Sequence, residues 1–544
     1  MILSSICVCV THYNESTDFL VATLNSLIES YEACFSSLRI NIFVIIDNNY
    51  NNVSDLASML LLREEVHRED LSIYKSDLVK YKGIHFYIKN KNCGKLDSHR
   101  VFFDEVAEIG NASFIVQVDS GVSFESRAFS EALVYFDNPE CRAVSLCSLP
   151  TEASGFSLID SWQANSYYQE RYVDWVLEEA LGYMTVLPGQ AHMVRWDSMK
   201  DSDIDGNNPI DKYLVKLDGL DIFFSNMYLA EDRILGMELS SFGKNRNSIR
   251  YSIDAKANLD NCKTIAELYR QRKRWVCGSF ACSLWFQKQS IISMLKGEAL
   301  SRIPLLLYLF FSSMVVLFCP IITALIHGSV ISELQDLNLS DPFSSTIKIV
   351  SLISVSAHFL AIYVGPFIFN RNWGAFVIKV SLGFLYIFFL SSILIIFFYQ
   401  KNGFIPLYAL LVLFVSRLFS YFSQGKIDIW SLFSNFLSRI NAFWLGTSLS
   451  VYGIIEFHRP SWGTKGLDKV IGSGYKSSAI RGISIALVSF QLLLFFLCGL
   501  YTILDFEIFL MLGCAHQFFS ILIFASKKFS LIKRGRSMLD WAEK

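Results

Sequence analysis

The sequence predicts an α/β domain followed by a bundle of membrane helices. Within residues 1–300, short β-branched and aromatic runs alternate with charged helical patterns, which is typical of a sheet with crossover helices. Most of the long uncharged stretches begin at Ile303, and the 544-residue chain is 52% hydrophobic. A chain of that size and composition is too apolar for one soluble domain and too long for a bare helical bundle.

Five strands and two helices of the first part are predicted from periodicity and from β-branched content. Because helical patterns separate the strands, we expect a largely parallel sheet, whose ligands bind beyond the carboxyl ends of the strands. The segment 59–84, rich in Arg, Glu, His and Lys, has a helical pattern and is predicted to be an insertion and a candidate homodimer contact. The strands are Ile6–Thr11, Ile40–Ile46, His85–Lys89, Phe114–Asp119 and Ala143–Leu149, and the helices are Phe19–Tyr31 and Ser98–Glu108.

Polar and acidic side chains follow three of these strands. The first strand leads into Tyr13, Asn14 and Glu15, the second is followed by Asp47, and the fourth ends at Asp119. Each group alone could be ordinary turn chemistry. Three acidic strand ends in one sheet favour a nucleotide and a divalent cation, since carboxylate and phosphate oxygens are the ligands that Mg²⁺ takes.

Two motifs ahead of the apolar half indicate sugar transfer. Glu231-Asp232 supplies carboxylates that can act as a base toward a sugar hydroxyl. Further along the chain, Arg272 and Arg274 can hold a diphosphate by forked bonds, and Trp275 can stack on a pyranose ring. A surface ion pair and a basic membrane anchor are the alternatives for each motif alone. Both motifs together, in this order, favour a sugar polymerase.

Charge and cysteine usage exclude several function classes. The net charge of −2 does not indicate a nucleic-acid binder. The 12 cysteines form no CxxC pair and no Cys/His cluster, so we expect reduced core thiols and neither a disulfide framework nor a zinc site. His99 lacks a second metal-ligand spacing and is predicted to be a packing or capping residue. No cleavable signal peptide precedes the first strand, so we expect the soluble part to stay in the cytosol.

Seven short motifs, spread from residue 11 to residue 466, carry a resemblance to a known family. They are Thr11-x-Tyr13-Asn14-Glu15, Gly94-Lys95-x-x-Ser98-His99, Val118-Asp119-x-Gly121, Val186-Leu187-Pro188-Gly189, Tyr228-Leu-Ala-Glu231-Asp232-Arg233, Gln271-Arg-x-Arg274-Trp275 and Ser461-Trp462-Gly463-Thr464-Lys465-Gly466. In form and order they resemble the motifs of glycosyltransferase family 2 and, within it, of the chitin synthases.

This resemblance implies a GT-A nucleotide-sugar fold, a uridine-diphosphate sugar donor and an Mg²⁺ or Mn²⁺ ion that neutralises the diphosphate. It also implies that Asp232, with Glu231 beside it, is the base of an inverting displacement and that Asp119 is the metal ligand. The donor contacts that it implies are Tyr13, Glu15, Asp47, Lys95, Arg272, Arg274, Thr464 and Lys465, and the acceptor and channel residues are Pro188, Gly189, Gln271, Trp275 and Trp462.

One loop departs from the family pattern. The family usually continues as Pro-Gly-Ala-Phe, whereas in this chain Pro188-Gly189 is followed by Gln190, Ala191 and His192. In the family this loop faces the acceptor and the channel entrance, so the departure leaves open which sugar is extended.

Six apolar stretches are long enough to cross about 30 Å of hydrocarbon. The stretch Leu432–Phe457 is interrupted by polar residues and is predicted to be interfacial or re-entrant, since a crossing would put Trp462, Thr464 and Lys465 outside the cell. Ser283–Lys296 is predicted to be an interface helix, with packing on the soluble core as the alternative. The distribution of Lys and Arg favours cytosolic termini. The six spans are Ile303–Ala324, Ile347–Phe369, Phe376–Phe398, Phe404–Phe422, Ile483–Leu504 and Ile508–Phe524.

These elements give a plan of six segments. Residues 1–282 form a cytosolic GT-A domain, 283–302 an interface helix, and 303–457 transmembrane and interface helices of a polymer channel. Residues 458–480 form a cytosolic gating loop, 481–527 two C-terminal transmembrane helices, and 528–544 a basic tail. With the resemblance, the plan implies a plasma-membrane enzyme that polymerises N-acetylglucosamine from UDP-GlcNAc into a β-1,4-linked chain and translocates it across the lipid bilayer.

Two other functions stay open at this level. A hyaluronan synthase-like enzyme, or another capsule or exopolysaccharide synthase, would use the same machinery, although the Lys-x-x-Ser-His and Ala-Glu-Asp-Arg forms favour chitin. A binding or transport membrane protein with an inactive transferase domain is the rival from another class. Intact Asp119, Asp232 and the Gln-Arg-x-Arg-Trp cluster argue against that rival, because loss of function normally removes catalytic carboxylates first.

Overall fold

The computed structural model describes most of the first half of the chain. These residues are 5–295, except 35–37, 48–49, 92, 110–111, 152–156, 202–207, 216–219 and 243–247, followed by 303–336, 442–460 and scattered positions between 342 and 490. The chain divides into two compact units. Unit one comprises Met1–Thr151, Trp175–Lys216 and Glu231–Asn261, and unit two comprises Glu152–Asp174, Leu217–Ala230 and Cys262–Lys544.

Strands and helices alternate through the described part of the chain. In chain order they are β1 (Ser5–His12), α1 (Thr17–Glu32), β2 (Arg39–Asp47), α2 (Tyr50–Met59), β3 (Leu62–His67), β4 (Leu71–Ser76), β5 (Ile84–Lys89), α3 (Lys95–Ile109), β6 (Ala112–Asp119), β7 (Ser123–Phe124), α4 (Ala128–Leu133), β8 (Ala143–Pro150), α5 (Leu158–Gln169), α6 (Trp175–Leu181), β9 (Ala191–Arg195), α7 (Trp196–Lys200), α8 (Pro209–Tyr213), α9 (Ile222–Met227), α10 (Glu231–Phe242), β10 (Ile249–Leu259), α11 (Ile265–Leu295), α12 (Ile303–Asp336) and α13 (Ala442–Glu456).

Unit one is built around one mixed sheet. Among the described residues the strand order is β3-β4-β5-β2-β1-β6-β9-β8-β10-β7. The central strands β5, β2, β1 and β6 run parallel, whereas β9 is antiparallel to both of its neighbours. Strand β1 is buried along almost its whole length, as expected for a central strand covered on both faces. The α/β class is therefore confirmed, and the sheet is mixed at both ends.

The predicted strands and helices of unit one are all present, with slightly different ends. Parallel pairing places the last residues of neighbouring strands side by side. Thr11 of β1 pairs with Asp119 of β6, and Asp47 of β2 pairs with Lys89 of β5. Three of the acidic or polar strand ends that the sequence indicated therefore lie along one edge of the sheet, as expected from the direction of the strands.

The segment 59–84 contains a β-hairpin, and the helical prediction for it was wrong. Strands β3 and β4 pair antiparallel there, and β4 joins the sheet through β5. Leu71 and Ile73 are buried, while the side chains of β3 are mostly exposed and Glu65 pairs with Lys75 at 2.8 Å. The charges belong to an edge strand, where they hinder pairing with another chain.

The described part of unit two is helical. Helix α11 continues without a break to Leu295, so residues 283–295 are the C-terminal part of a long helix, and the predicted interface location of residues 283–302 stays a prediction. Helix α13 covers the second half of the predicted segment Leu432–Phe457 and packs on α11. The Tyr269 hydroxyl lies 2.7 Å from Ser448 Oγ, and Cys277 Sγ donates to the Gly453 carbonyl at 3.2 Å.

Membrane crossing is not tested by this structure. Among the described residues, no helix combines the length and the hydropathy that a membrane span requires. The predicted spans that begin at Ile347, Phe376, Phe404, Ile483 and Ile508 fall almost entirely outside the described residues. The topology and the location of the protein therefore stay predictions from the sequence.

Gly278 allows helix α11 to pack closely on the short turn Tyr228–Ala230 of unit two. A Cβ at this position would lie 2.6 Å from Ala230 Cβ and 3.0 Å from Ala230 N. We expect Gly278→Ala to lower the free energy of unfolding by about 1–3 kcal/mol, because the helix must shift to relieve the overlap. Thermal unfolding of the detergent-solubilised protein measures this effect.

Gly446→Ala is the matched control within the same unit. A Cβ there would have only Cys319 Sγ in range, at 4.0 Å, and alanine favours a helix over glycine by about 1 kcal/mol. Equal melting temperatures for the two variants would contradict the close approach of Gly278 to Ala230.

Candidate active site

Lys95, the first residue of α3, lies at the centre of a charged cluster in unit one. Its Nζ is 2.9 Å from Asp119 Oδ1, 3.2 Å from Glu231 Oε1 and 3.5 Å from the Gly189 carbonyl oxygen. Burial disfavours the ammonium ion, but the attraction of Asp119 and Glu231 outweighs it and raises the pKa of Lys95 above its usual range. Lys95 is therefore a cation at neutral pH and neutralises two acids that are far apart in the sequence.

Glu231 and Asp232 begin helix α10, where backbone N–H groups and the helix dipole favour negative charge. Asp232 Oδ1 accepts a hydrogen bond from Arg233 N at 2.9 Å, and Oδ2 accepts one from Gly189 N at 3.4 Å. The Asp232 carbonyl accepts a further bond from Leu187 N at 3.1 Å. The predicted base is therefore attached to the predicted acceptor loop by both its side chain and its backbone.

Asp119, the last residue of β6, is the predicted metal ligand. Thr11 Oγ1 donates a hydrogen bond to Asp119 Oδ1 at 3.0 Å, and the Asp119 side chain is 34% exposed. Within the part of the chain that the structure describes, no three His, Cys, Asp or Glu side chains form a metal cluster. Mg²⁺ commonly takes one or two carboxylates and completes its shell with water and substrate phosphates. Asp119, with Glu231 on the other side of Lys95, fits an ion that arrives together with a diphosphate.

Asp47 is buried in an ion pair that the sequence analysis did not foresee. Lys89 contacts Asp47 and also donates to Asp97 Oδ2 at 2.9 Å, while Ser98 Oγ donates to Asp47 Oδ2 at 3.3 Å. Burial raises the pKa of Asp47 despite the nearby ammonium ion. The carboxylate is thus engaged by protein groups, and its predicted contact with uridine stays untested.

Tyr13 and Glu15 lie in the loop that follows β1. Glu15 Oε2 accepts a hydrogen bond from Tyr13 N at 2.8 Å and lies 3.6 Å from His12 Nδ1. His12 Nδ1 is also 3.0 Å from Ser120 Oγ, next to Asp119 in the chain. Glu15 therefore fixes the backbone of the loop in which Tyr13 is predicted to contact the uridine.

The aromatic and basic cluster of unit two is stacked. The guanidinium of Arg272 lies over the Trp275 ring, 4.0 Å from its centroid, and 5.2 Å from the centroid of Tyr167. Tyr167 meets Trp275 edge to face, with the ring centroids 5.8 Å apart. Burial lowers the pKa of Arg272, although guanidinium remains a cation at neutral pH. One face of the Trp275 indole is therefore covered by Arg272 and is not open to the predicted stacking on a sugar.

Several polar atoms near this cluster are buried without a hydrogen bond. Three of these atoms form no hydrogen bond with any described residue: Arg270 Nε, Gln271 Oε1 and Arg272 Nη2. A buried donor without an acceptor costs about 1–3 kcal/mol, so the two arginine nitrogens are suited to an anionic ligand, whereas the Gln271 oxygen can only accept a hydrogen bond. Gln271 and Arg272 are predicted site residues, whereas Arg270 was not foreseen.

Lys273 fills the variable position of the Gln-Arg-x-Arg-Trp motif and has a structural contact there. Its side chain is buried, and its Nζ donates to the Arg459 carbonyl at 3.1 Å and lies 3.5 Å from Glu456 Oε2. A cation is favourable at the C-terminal end of a helix, here α13. This contact could not be found from the sequence, because its partners lie almost two hundred residues away.

The structure does not test the predicted gating residues. Trp462, Thr464 and Lys465 lie outside the described residues.

The sequence analysis missed two contacts that the strand pattern could have indicated, Thr11 to Asp119 and Lys89 to Asp47. Each pair consists of residues at the ends of neighbouring parallel strands.

The central part of the chain is similar to known proteins. Residues 65–289 match the model of a chitin synthase-like glycosyltransferase domain. The chain is 32% identical over 208 residues to chitin synthase A of Ampelomyces quisqualis, covering 37% of this chain and 23% of that relative. It is 29% identical over 228 residues to chitin synthase 1 of Phytophthora sojae, covering 40% of this chain and 24% of the relative. The match thus spans about a quarter of the length of these relatives.

Two solved structures are similar at a low level. Staphylococcus aureus TarS 1–349 in complex with UDP has a TM-score of 0.31 and 14% identity, covering 51% of this chain and 65% of that one. The mannosyltransferase PcManGT from Pyrobaculum calidifontis, in complex with GDP-Man and Mn²⁺, has a TM-score of 0.33 and 10% identity, covering 82% and 88%.

The sequence motifs, the sheet and the family match agree with one another. The mixed sheet with its acidic strand ends is consistent with a GT-A-like glycosyltransferase fold. The matched region contains Lys95, Asp119 and Glu231, whose side chains meet in unit one, and also the arginine and tryptophan cluster of unit two. Residues 65–289 are therefore similar to a chitin synthase-like glycosyltransferase domain.

Proposed function

We propose that the protein is a processive chitin synthase that uses UDP-GlcNAc as its donor. The observation that carries the proposal is the cluster around Lys95, within a domain of the chitin synthase type. It joins Asp119, suited to a metal and diphosphate, to Glu231 and to the neighbouring Asp232. A glycosyl transfer needs both functions, stabilisation of the leaving diphosphate and a base for the acceptor hydroxyl.

Asp232 is the base in this proposal. Its Oδ2 accepts a 3.4 Å bond from Gly189 N, and a carboxylate oxygen can take up the proton of an acceptor hydroxyl. The hydroxyl oxygen then attacks the anomeric carbon as the bond to the diphosphate breaks, and the configuration inverts. Gly189 leaves room beside Asp232, because a Cβ at this position would lie 3.6 Å from Glu231 Oε1 and 2.9 Å from Lys95 Nζ.

Lys95 and Asp119 serve the leaving group. A divalent ion bound by Asp119 would supply positive charge to the diphosphate oxygens as the bond breaks. Lys95, held beside Asp119 in this structure, is close enough to donate to the same oxygens when its carboxylate partners are engaged elsewhere. In unit two, the buried donors of Arg270 and Arg272 are suited to an anion as well.

Processivity, translocation and the plasma-membrane location are part of the proposal. They are supported by the apolar C-terminal half of the sequence and by the resemblance of the Trp462-Gly463-Thr464-Lys465 segment to a gating motif. In this scheme the polymer slides on ring faces, because stacking holds a pyranose without fixing one register.

Incubation of the purified protein with labelled sugar donors, singly and in pairs, tests the proposal. We expect UDP-GlcNAc alone to give an insoluble polymer that chitinase degrades. A requirement for a glucuronic acid donor as well, with a product sensitive to hyaluronidase, would replace chitin by hyaluronan. Absence of any polymer with every donor pair would contradict the synthase function itself.

A further inference from the structure

The turn at Pro188-Gly189 links the charged cluster to the base. Gly189 N donates to Asp232 Oδ2 at 3.4 Å, and the Gly189 carbonyl faces Lys95 Nζ at 3.5 Å. Leu187 N donates to the Asp232 carbonyl at 3.1 Å. Any shift of this turn therefore changes the environment of the Asp232 carboxylate.

His192 holds this turn from behind. Its Nδ1 lies 2.9 Å from the Pro188 carbonyl oxygen, to which Ala191 N also donates at 3.1 Å. On the other side of the ring, Nε2 lies 2.8 Å from the side-chain amide of Gln117. His192 and Gln117 are both buried, at 2% and 1% exposure, so water does not compete for these bonds.

The series of buried polar side chains that begins at His192 continues to helix α3. The Gln117 amide faces the hydroxyl of Tyr213, although its nitrogen makes no hydrogen bond there, and the same hydroxyl lies 2.7 Å from His99 Nδ1. His99 and Tyr213 are fully buried as well. His99 thus packs within unit one, as the sequence analysis predicted. Four side chains from β6, β9, α8 and α3 form a continuous polar path that ends on the Pro188 carbonyl.

The direction of the hydrogen bonds follows from the Pro188 carbonyl. A carbonyl oxygen can only accept, so His192 Nδ1 must carry the proton. Burial lowers the pKa of His192 to about 4, so the ring is neutral at pH 7 and Nε2 is an acceptor. In the structure the Gln117 atom nearest to His192 Nε2 is Oε1, but two acceptors cannot form a hydrogen bond. The Gln117 amide must therefore be rotated by 180°, so that its nitrogen donates to His192 Nε2. In that orientation the Gln117 oxygen faces the Tyr213 hydroxyl and can accept from it, which removes the unpartnered buried amide nitrogen.

We propose that His192 is a positioning residue for Asp232, which acts by fixing the Pro188-Gly189 turn through its Nδ1–H donor. Gln117 and Tyr213 set the tautomer of the ring that makes this donor available. The site at which this chain departs from the chitin synthase pattern, Gln190 to His192, thereby acquires a role in the orientation of the base. The kinetic consequence rests on the proposed transferase function, whereas the structural consequence does not.

Two substitutions of His192 separate the two sides of the ring. In His192→Asn, the side-chain nitrogen takes the place of Nδ1 and can still donate to Pro188. In His192→Gln, the amide reaches the place of Nε2 and contacts Gln117, but the donor to Pro188 is lost. Hydrogen exchange of residues 187–191 compares the turn in both variants, with β1 as an internal reference for intact folding.

We expect the turn to exchange at least about tenfold faster in His192→Gln than in the parent protein, and His192→Asn to recover most of the protection. With UDP-GlcNAc, His192→Gln should lower kcat by about 10–100-fold at unchanged donor KM, because a misplaced base costs rate and not binding. His192→Asn should recover at least about tenfold of that loss. Equal exchange and equal kcat for the two variants would overturn the proposal.

A third variant keeps the proposal testable if His192→Gln does not fold. Tyr213→Phe removes the hydroxyl at the far end of the path and leaves the His192 ring in place. We expect faster exchange at 187–191 with β1 unchanged, and unchanged exchange at the turn would overturn the role of the path. A parent protein without transferase activity would contradict the proposed function and leave the exchange comparison valid.

Discussion

Asp232→Asn is expected to lower polymer synthesis by roughly 10²–10⁴-fold, the range typical of the loss of a general base. The amide keeps the shape of the side chain, and its oxygen can still accept from Arg233 N, which lies 2.9 Å from Oδ1, whereas the 3.4 Å bond from Gly189 N to Oδ2 is lost because an amide nitrogen only donates. Donor binding should therefore stay close to normal while the proton acceptor is absent. Initial rates of labelled polymer formation and equilibrium binding of UDP measure the two quantities separately.

Glu238→Gln provides the control on the same helix. Glu238 pairs with Lys212 at 3.1 Å and is not part of the charged cluster around Lys95. It should keep synthesis within a few-fold of the parent enzyme, since a partly exposed pair contributes about 1 kcal/mol or less. Near-normal synthesis by Asp232→Asn would remove Asp232 from the role of base.

Lys95→Gln is expected to have a comparably large effect, with a different signature. Without the ammonium ion, Asp119 and Glu231 lose the cation that lies 2.9 and 3.2 Å from their oxygens. The carboxylates should then attract Mn²⁺ more strongly in the absence of donor, because the local charge is more negative by one unit. Synthesis should fall by about 10²-fold or more, because one preorganised donor to the leaving diphosphate is lost.

Titration of Mn²⁺ followed by the electron paramagnetic resonance of the free ion checks the first of these effects without turnover. Lys91→Gln, which removes an exposed lysine near the start of α3, is the matched control for loss of one positive charge. Mn²⁺ affinity that is equal in Lys95→Gln and Lys91→Gln would contradict the neutralising role of Lys95.

The sequence by itself determined the local elements and the chemical types at the strand ends. Alternating β-branched runs are sufficient for β1, β2, β5, β6 and β8, since burial on both faces demands such residues. The carboxyl ends of parallel strands meet at one edge, so the acidic strand ends were expected there, although the contact of Thr11 with Asp119 was not predicted. The chitin synthase resemblance, which the match of residues 65–289 confirms, also came from local motifs.

The periodicity of hydrophobic residues could not predict the hairpin within residues 59–84. Charged residues occur both on exposed helices and on edge strands, and only pairing of β4 with β5 decides between them. The interface helix predicted to begin at residue 283 stays untested, because the described part of α11 ends at Leu295 and residues 296–302 lie outside the described residues.

The partners of the charged groups were decided by the tertiary structure alone. Lys95 was assigned to phosphates from its motif, yet in the folded chain it joins Asp119 to Glu231, which no local pattern can indicate. His192 belongs to a strand whose apolar neighbours gave no sign of a polar path to Gln117. The physical reason is that a buried polar group must find a partner wherever the fold provides one, and that partner is set by packing across the sheet and not by spacing along the chain.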